Sequence, residues 1–332
     1  MKKVEDLVGH ENTKKQLKIA AESARKLNIA MDHILFAGVA GCGKTSMARY
    51  LAYHSDSDFL QVPPTDFKDY KSVVDILERL SIKGYDAKGN RIGKIKPTIL
   101  FVDEIHRMPI QGEEPLGVAM EDFKIPLEKE GLVCWVPYFT LVGATTDDGS
   151  LSKPFRERFG LRFVFNTYSD GEIKQIIELS LPAMHITASQ KAIRALVKRG
   201  RGVPRITKGY LRRARDRAVS LSAKIITTQM VEETFSELGI DAAGFTEVEL
   251  KILKALYDAK MPVGLDNLSV IVNESQKAIQ SSAEPHLVRK GFVLRTGKGR
   301  IITQSGRSYL AKSGYINSDK HKVEISADYV RR

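Results

Sequence analysis

The chain has 332 residues, 42% of them hydrophobic and 28% charged, which is ordinary globular composition and long enough for two or three domains. It has no 18-residue apolar run and only two cysteines, Cys42 and Cys134, so it reads as a cytoplasmic protein without a membrane span, a disulfide framework or a metal cluster. A formal net charge of +12 favours a polyanionic partner, nucleic acid first among them.

Residues 10 to 29 read as a helix, with Leu17, Ile19, Ala20, Ala24 and Leu27 as its apolar positions. His33-Ile34-Leu35-Phe36-Ala37 is a short buried strand. It runs into Gly38-Val39-Ala40-Gly41-Cys42-Gly43-Lys44-Thr45, and a helix opens at Ser46. Strand, glycine loop and helix in that order fit G-x-x-x-x-G-K-[ST], the P-loop. Gly38, Gly41, Cys42, Gly43 and Ser46 offer backbone N–H groups to phosphate oxygens, aided by the positive end of the helix. Lys44 reaches the terminal phosphates of ATP, and the Thr45 hydroxyl is a ligand for Mg²⁺. Asp58 to Val62 reads as a strand, Asp69 to Leu80 as a helix, and the glycine- and lysine-rich stretch Ser81 to Lys96 as a loop or exposed hairpin.

Thr98 to Glu104 is an apolar strand ending in two acids. In a parallel sheet its end lies beside the P-loop, where Asp103 can hold Mg²⁺ and Glu104 can orient the attacking water. Phe139 to Ala144 is a further strand, ending in the hydroxyl pair Thr145-Thr146, and Leu161 to Phe165 closes a five-stranded α/β domain. From Ser169 the pattern turns helical over 169–181, 187–199, 204–222 and 227–238, interrupted at Gly200 to Pro204. A third unit follows, with helices over Thr246–Tyr257, Leu265–Val272 and Ser275–Arg289. A hairpin, Phe292–Arg295 and Arg300–Thr303, turns at Thr296-Gly297-Lys298-Gly299. Three short helices and a basic hairpin predict a winged helix, with Arg295, Lys298 and Arg300 as phosphate contacts on DNA. The expected divisions are 1–166, 167–241 and 242–312. The end from Ser313 to Arg332, poor in apolar residues, is expected to be a mobile tail.

Several stretches together resemble the AAA+ superfamily and, within it, the bacterial RuvB family. They are Asp103 to Arg107, Ala119 to Asp122, Phe139 to Thr146, Arg156 to Gly160, Val203 to Ile206, Leu211 to Arg213, Pro262 to Leu268 and Glu284 to Phe292. The match runs from about residue 5 to 305 in unbroken order. The resemblance implies an ATP-driven ring, a hexamer, acting on the arms of a four-way DNA junction. It further implies Thr146 as the first sensor, Arg158 as a finger reaching a neighbouring subunit's ATP, Arg205 as the lid's second sensor, and Tyr168 with Leu7-Val8 beside the nucleotide base. Arg156 competes with Arg158 for the finger. Arg212, Arg213, Arg215 and Arg217 read as a solvated face and His106 as a packing residue.

Departures from the family pattern stand beside these. The hairpin that docks the RuvA partner is cut to a short stretch containing Leu127 to Tyr138, the connection at Ser81 to Lys96 is longer, and an Arg-Pro before the first helix is missing. A RuvA-like junction-binding partner is therefore less firmly implied than the ATP chemistry. The residues leave two activities open: a branch-migration motor, or an ATP-controlled DNA-binding switch such as a clamp- or helicase-loader.

Overall fold

The computed structural model describes residues 7–27, 29–82, 97–126 and 133–316, which form two compact units dividing between Val231 and Glu232. The first begins with α1 (Glu11–Leu27), which buries Leu17, Ala21 and Ala24 on one face. Then come β1 (Ile34–Gly38), α2 (Lys44–His54), β2 (Asp58–Gln61), α3 (Tyr70–Ile82), β3 (Thr98–Asp103) and α4 (Ile110–Asp122). A short antiparallel hairpin, β4 (Lys124–Pro126) with β5 (Val133–Trp135), precedes β6 (Phe139–Thr145), α5 (Lys153–Glu157) and β7 (Leu161–Phe165).

Five strands form one parallel sheet in the order β2-β3-β6-β1-β7. Nearly every residue of β3 and β6 is buried, the signature of parallel strands covered on both faces. One apolar core joins Leu100, Val102, Phe139 and Leu141 of the sheet to Val73, Leu77, Leu116 and Met120 of α3 and α4. Because β1 sits between β6 and β7, far from β2 in the sheet, its C-terminal end opens on a crevice of the kind where such sheets bind ligands.

Helices α6 (Asp170–Glu178), α7 (Gln190–Arg199), α8 (Pro204–Ser220) and α9 (Thr228–Glu237) follow. A capping box between Ser169 and Glu172 starts α6, Ser189 caps α7, and Pro204 opens α8 where its missing N–H costs nothing. The all-helical expectation for this region omits a parallel ladder of two-residue strands, β8 (Thr187–Ala188) and β9 (Ile225–Ile226).

The second unit carries α10 (Glu247–Ala259) and α11 (Leu265–Val272), then one helical run of three parts: α12 (Gln276–Ala278), a π-turn over Ile279–Ala283, and α13 (Glu284–Arg289). Pro285 explains the break from the single helix expected at Ser275–Arg289. It has no N–H to donate and its ring excludes the ordinary hydrogen-bond partner, so the turn before it widens. Strands β10 (Val293–Thr296) and β11 (Gly299–Ile302) form the wing. A further helix, α14 (Gln304–Lys312), has no counterpart in the sequence reading. It adds Leu310 to a core of Phe245, Ile252, Leu253, Leu268, Leu287, Val293 and Ile302. Of the loop expected at 81–96, Ser81 and Ile82 belong to α3 and residues 83–96 lie outside the described residues, as do 127–132 and the part of the expected tail beyond Ile316.

Candidate nucleotide site and wing

Buried β1 fixes where the chain leaves the sheet, and the glycines then set the path of the loop. Gly41 (φ 80°) and Gly43 (φ 95°) hold left-handed backbone that other residues resist. A Cβ on Gly41 would also lie 2.7 Å from Cβ of Arg205 in the first turn of α8, so loop and lid meet with no room for a side chain. Lys44 is buried and points back along the loop, donating from Nζ to the carbonyls of Gly38 (2.8 Å) and Val39 (3.2 Å). Burial pushes its ammonium below the usual lysine range, with Glu104 and Asp103 pulling the other way. Next to it the Thr45 hydroxyl donates to Oδ2 of Asp103 at 3.2 Å, joining the α2 start to the end of β3.

Glu104 follows Asp103 in left-handed conformation, φ 50° and ψ 47°, a strained choice for a side chain of this size. Its backbone N–H donates to Oδ1 of Asp103 at 3.1 Å. Its carboxylate is held from β6: the Thr146 hydroxyl donates to Oε2 at 2.8 Å. The two threonines read as a pair divide their work. Thr145 is fully buried, shares a 2.9 Å hydrogen bond with Nδ1 of His106 and accepts the Asp147 N–H, whereas exposed Thr146 faces Glu104. His106 also stands 3.4 Å from Oε2 of Glu104, closer to the acid than a packing residue needs to be.

Arg205 is exposed beside the loop and lowers the Lys44 ammonium pKa through its own charge. Tyr168 is buried against the other side. Its hydroxyl donates to the Cys42 carbonyl at 3.2 Å, and burial raises its pKa well above the usual phenol range. His10 makes a second 3.2 Å bond to the same carbonyl through Nε2 and lies against the rings of Phe165 and Tyr168. Burial lowers the His10 pKa, so the neutral ring is the donor there. Val8 is buried and Leu7 half-buried just before it, with Lys14 donating to the Leu7 carbonyl at 2.8 Å. Sequence reasoning passed over His10; a lone histidine one residue before a helix carries no signal of a partner 32 residues away.

Arg158 sits apart from this cluster, at the end of α5. Its Nε lies 3.1 Å from Oε1 of Glu121 without hydrogen-bond geometry, and Nη2 reaches Oε2 at 3.5 Å; the side chain is 23% exposed. The Arg156 guanidinium instead donates to the Asp148 carbonyl at 3.5 Å.

On the wing, Lys298 is exposed at the hairpin tip. Arg295 and Arg300 are cross-strand partners, and both donate to Glu284. Arg300, 15% exposed, is engaged by that carboxylate, so its charge is paired inside the domain, whereas Arg295 keeps 54% of its side chain exposed.

The donor set fits a nucleoside triphosphate with a divalent cation: glycine-rich N–H groups, one buried ammonium, and a hydroxyl bonded to a carboxylate. Models of three successive RuvB domains match the chain. They are the Holliday junction DNA helicase RuvB P-loop domain over residues 1–165, the RuvB AAA lid domain over 168–241 and the RuvB C-terminal winged helix domain over 242–311. The chain belongs to the RuvB family. A RuvB of Campylobacter jejuni subsp. doylei, named Holliday junction branch migration complex subunit, is 35% identical over 311 residues, covering 92% of this chain and 88% of its own. Its counterpart in Streptococcus equi subsp. zooepidemicus is 34% identical over 324 residues, covering 95% and 92%. The solved Thermotoga maritima RuvB, a Holliday junction branch migration motor, superposes with a TM-score of 0.78 at 32% identity over 93% of this chain and 97% of that one. Family membership makes the chain an ATPase with a P-loop core, a lid and a winged helix. Among the described residues no helix is long and apolar enough to cross a membrane.

Proposed function

We propose that the chain is an ATP-driven motor that moves four-way DNA junctions in recombination and repair, working as a hexameric ring in the cytoplasm. One observation carries the reading. Lys44, Thr45, Asp103, Glu104 and Thr146 converge on the C-terminal edge of the sheet, with Arg205 of the lid beside them, in a chain similar to RuvB along its length. Lys44 and the N–H groups of Gly41, Cys42, Gly43 and Ser46 bind the phosphates, with Gly38 closing the loop; Thr45 and Asp103 hold Mg²⁺, which when bound neutralises phosphate charge. Glu104, oriented by Thr146, polarises the attacking water. Arg205 senses the nucleotide from the lid, and Tyr168 with Leu7 and Val8 borders the base. Arg158 acts on the neighbouring subunit's ATP.

We place the functional divisions at 1–166, 167–241 and 242–312, with the wing's Lys298 and Arg295 against duplex phosphates. A loader-type switch would use the same site, and the names of the relatives favour the motor. The test is ATP-dependent branch migration of a synthetic four-way junction, with and without a RuvA-type protein. Migration with wild type and none with Lys44→Ala is expected. ATP hydrolysis and junction binding without migration in either condition would refute the motor. Full migration without RuvA would fit the shortened hairpin.

A further inference from the structure

Two like charges directly opposite on paired strands repel unless something lies between them. Arg295 on β10 and Arg300 on β11 are such a pair. The compensating charge comes from outside the hairpin: Glu284, the first residue of α13, only 2% exposed. Its Oε1 accepts from Nε of Arg300 at 2.8 Å, and its Oε2 accepts from Nη2 of Arg295 at 2.7 Å and Nη2 of Arg300 at 3.3 Å. A buried carboxylate is tolerated only when paired and hydrogen-bonded, and here both oxygens are. Burial by itself raises its pKa, and the two arginines outweigh that and hold it below the usual carboxylate range.

The main chain fixes the same arginine. The Arg300 N–H donates to the Val263 carbonyl at 2.8 Å, and the Arg300 carbonyl accepts from Val263 at 2.9 Å. Arg300 is thus tied to the helical part of the domain by backbone and side chain together. Arg295 differs: it gives one nitrogen to Glu284 and keeps 54% of its side chain exposed.

We propose that Glu284 is the positioning residue of the wing's nucleic-acid contact, holding Arg300 as an internal strut so that Arg295 and Lys298 are presented to duplex phosphates. This rests on the reading of the wing as the DNA surface. It makes a prediction of unexpected sign. By charge alone, removing a carboxylate near a phosphate-binding edge should tighten DNA binding. As a strut, Glu284 should weaken binding when removed, because Arg295 and the hairpin lose their fixed direction.

The experiment is fluorescence anisotropy of a labelled duplex of arbitrary sequence with the full-length protein, repeated across salt concentrations. Lys298→Ala is expected to make the salt slope shallower by about 0.9, one phosphate contact. Glu284→Gln is expected to weaken binding and lose a further contact's slope, about 0.9. Glu284→Asp, with its carboxylate drawn back by one methylene, should fall between wild type and Glu284→Gln. Adding Glu284→Gln to a variant already carrying Arg295→Ala and Lys298→Ala should weaken binding no further, an epistasis that general loosening of the domain would not produce. Wild-type or tighter binding by Glu284→Gln, with the Lys298 effect present, overturns the proposal. A Lys298→Ala slope equal to wild type overturns the wing reading and the proposal with it. Thermal unfolding checks that each variant folds. Should Glu284→Gln lose its cooperative transition, Glu284→Asp decides: wild-type affinity overturns the strut.

Discussion

Two variants that are each inactive should recover activity when mixed. Arg158→Ala keeps the P-loop but has no finger to offer, and Lys44→Ala keeps the finger but lacks the ammonium that binds phosphate. Among the described residues the acid beside Arg158 is the exposed Glu121, at 3.1 Å, and the guanidinium also lies against Gly117 of α4. A pair at such a surface is worth about 0–1 kcal/mol. A finger supplied in trans is worth about 10³–10⁵ in rate, or about 4–7 kcal/mol at 1.36 kcal/mol per tenfold. With Arg158 as the finger, the phosphoryl contact would outweigh the Glu121 pair. In randomly mixed rings, a productive interface needs an Arg158→Ala subunit holding ATP beside a Lys44→Ala subunit offering its arginine. At equal mixing this is about one head-to-tail interface in four. Phosphate release plotted against mixing ratio should rise to a maximum near equal proportions and vanish at both ends. Flat release at every ratio, with cross-linking showing mixed rings, would refute a trans role for Arg158. Repeating the series with Arg156→Ala then tells which arginine is the finger.

Glu104→Gln should keep nucleotide binding and lose turnover by about 10²–10⁴, read by isothermal titration beside phosphate release, since only the proton-accepting carboxylate is lost. Thr146→Val should lower kcat more than it changes ATP affinity, because its hydroxyl bonds Glu104 at 2.8 Å; an unchanged kcat would release Thr146 from that role. His10 is held neutral by burial, with its folded pKa below the usual 6.5, so the unfolded state takes up a proton first as pH falls. Wild-type stability should therefore decline relative to His10→Gln as pH drops below about 6.5 and through the folded pKa, with no divergence above it; melting temperatures across pH 5 to 8 check the sign. Leu310→Ala should cost about 2–5 kcal/mol in the winged-helix unit, measured by denaturant unfolding, because α14 closes that core through this fully buried side chain.

The elements that could be read from sequence are those whose signal is local. Continuous apolar runs announce β1, β3 and β6, since strands buried on both faces need no alternation. The glycine- and proline-marked break at Gly200 to Pro204 places the start of α8. The acids at the end of β3 acquire meaning only from the P-loop 59 residues earlier, and a parallel sheet brings the two together. What stayed hidden is pairwise and long-range. Nothing around Thr146 says that its hydroxyl bonds Glu104, 42 residues back in the chain. Arg300 and Lys298 look alike on a hairpin until Glu284 claims one of them. The ladder of β8 and β9 is two residues long, below any periodic signal, and α14 buries only Gly306 and Leu310, too little to show a stripe.

The Cys42 carbonyl accepts from His10 on one side and Tyr168 on the other. Tyr168 stands where the sheet ends and the lid begins, its own N–H on the Gly202 carbonyl at 2.8 Å just before α8. A lid rotation must therefore either break the Tyr168 bond or carry the phosphate loop with it. Where the loop follows, rotation of the lid reaches the phosphate site directly, with a hydroxyl and an imidazole as the detent. Loss of either donor should show as faster ADP exchange before it shows as slower chemistry.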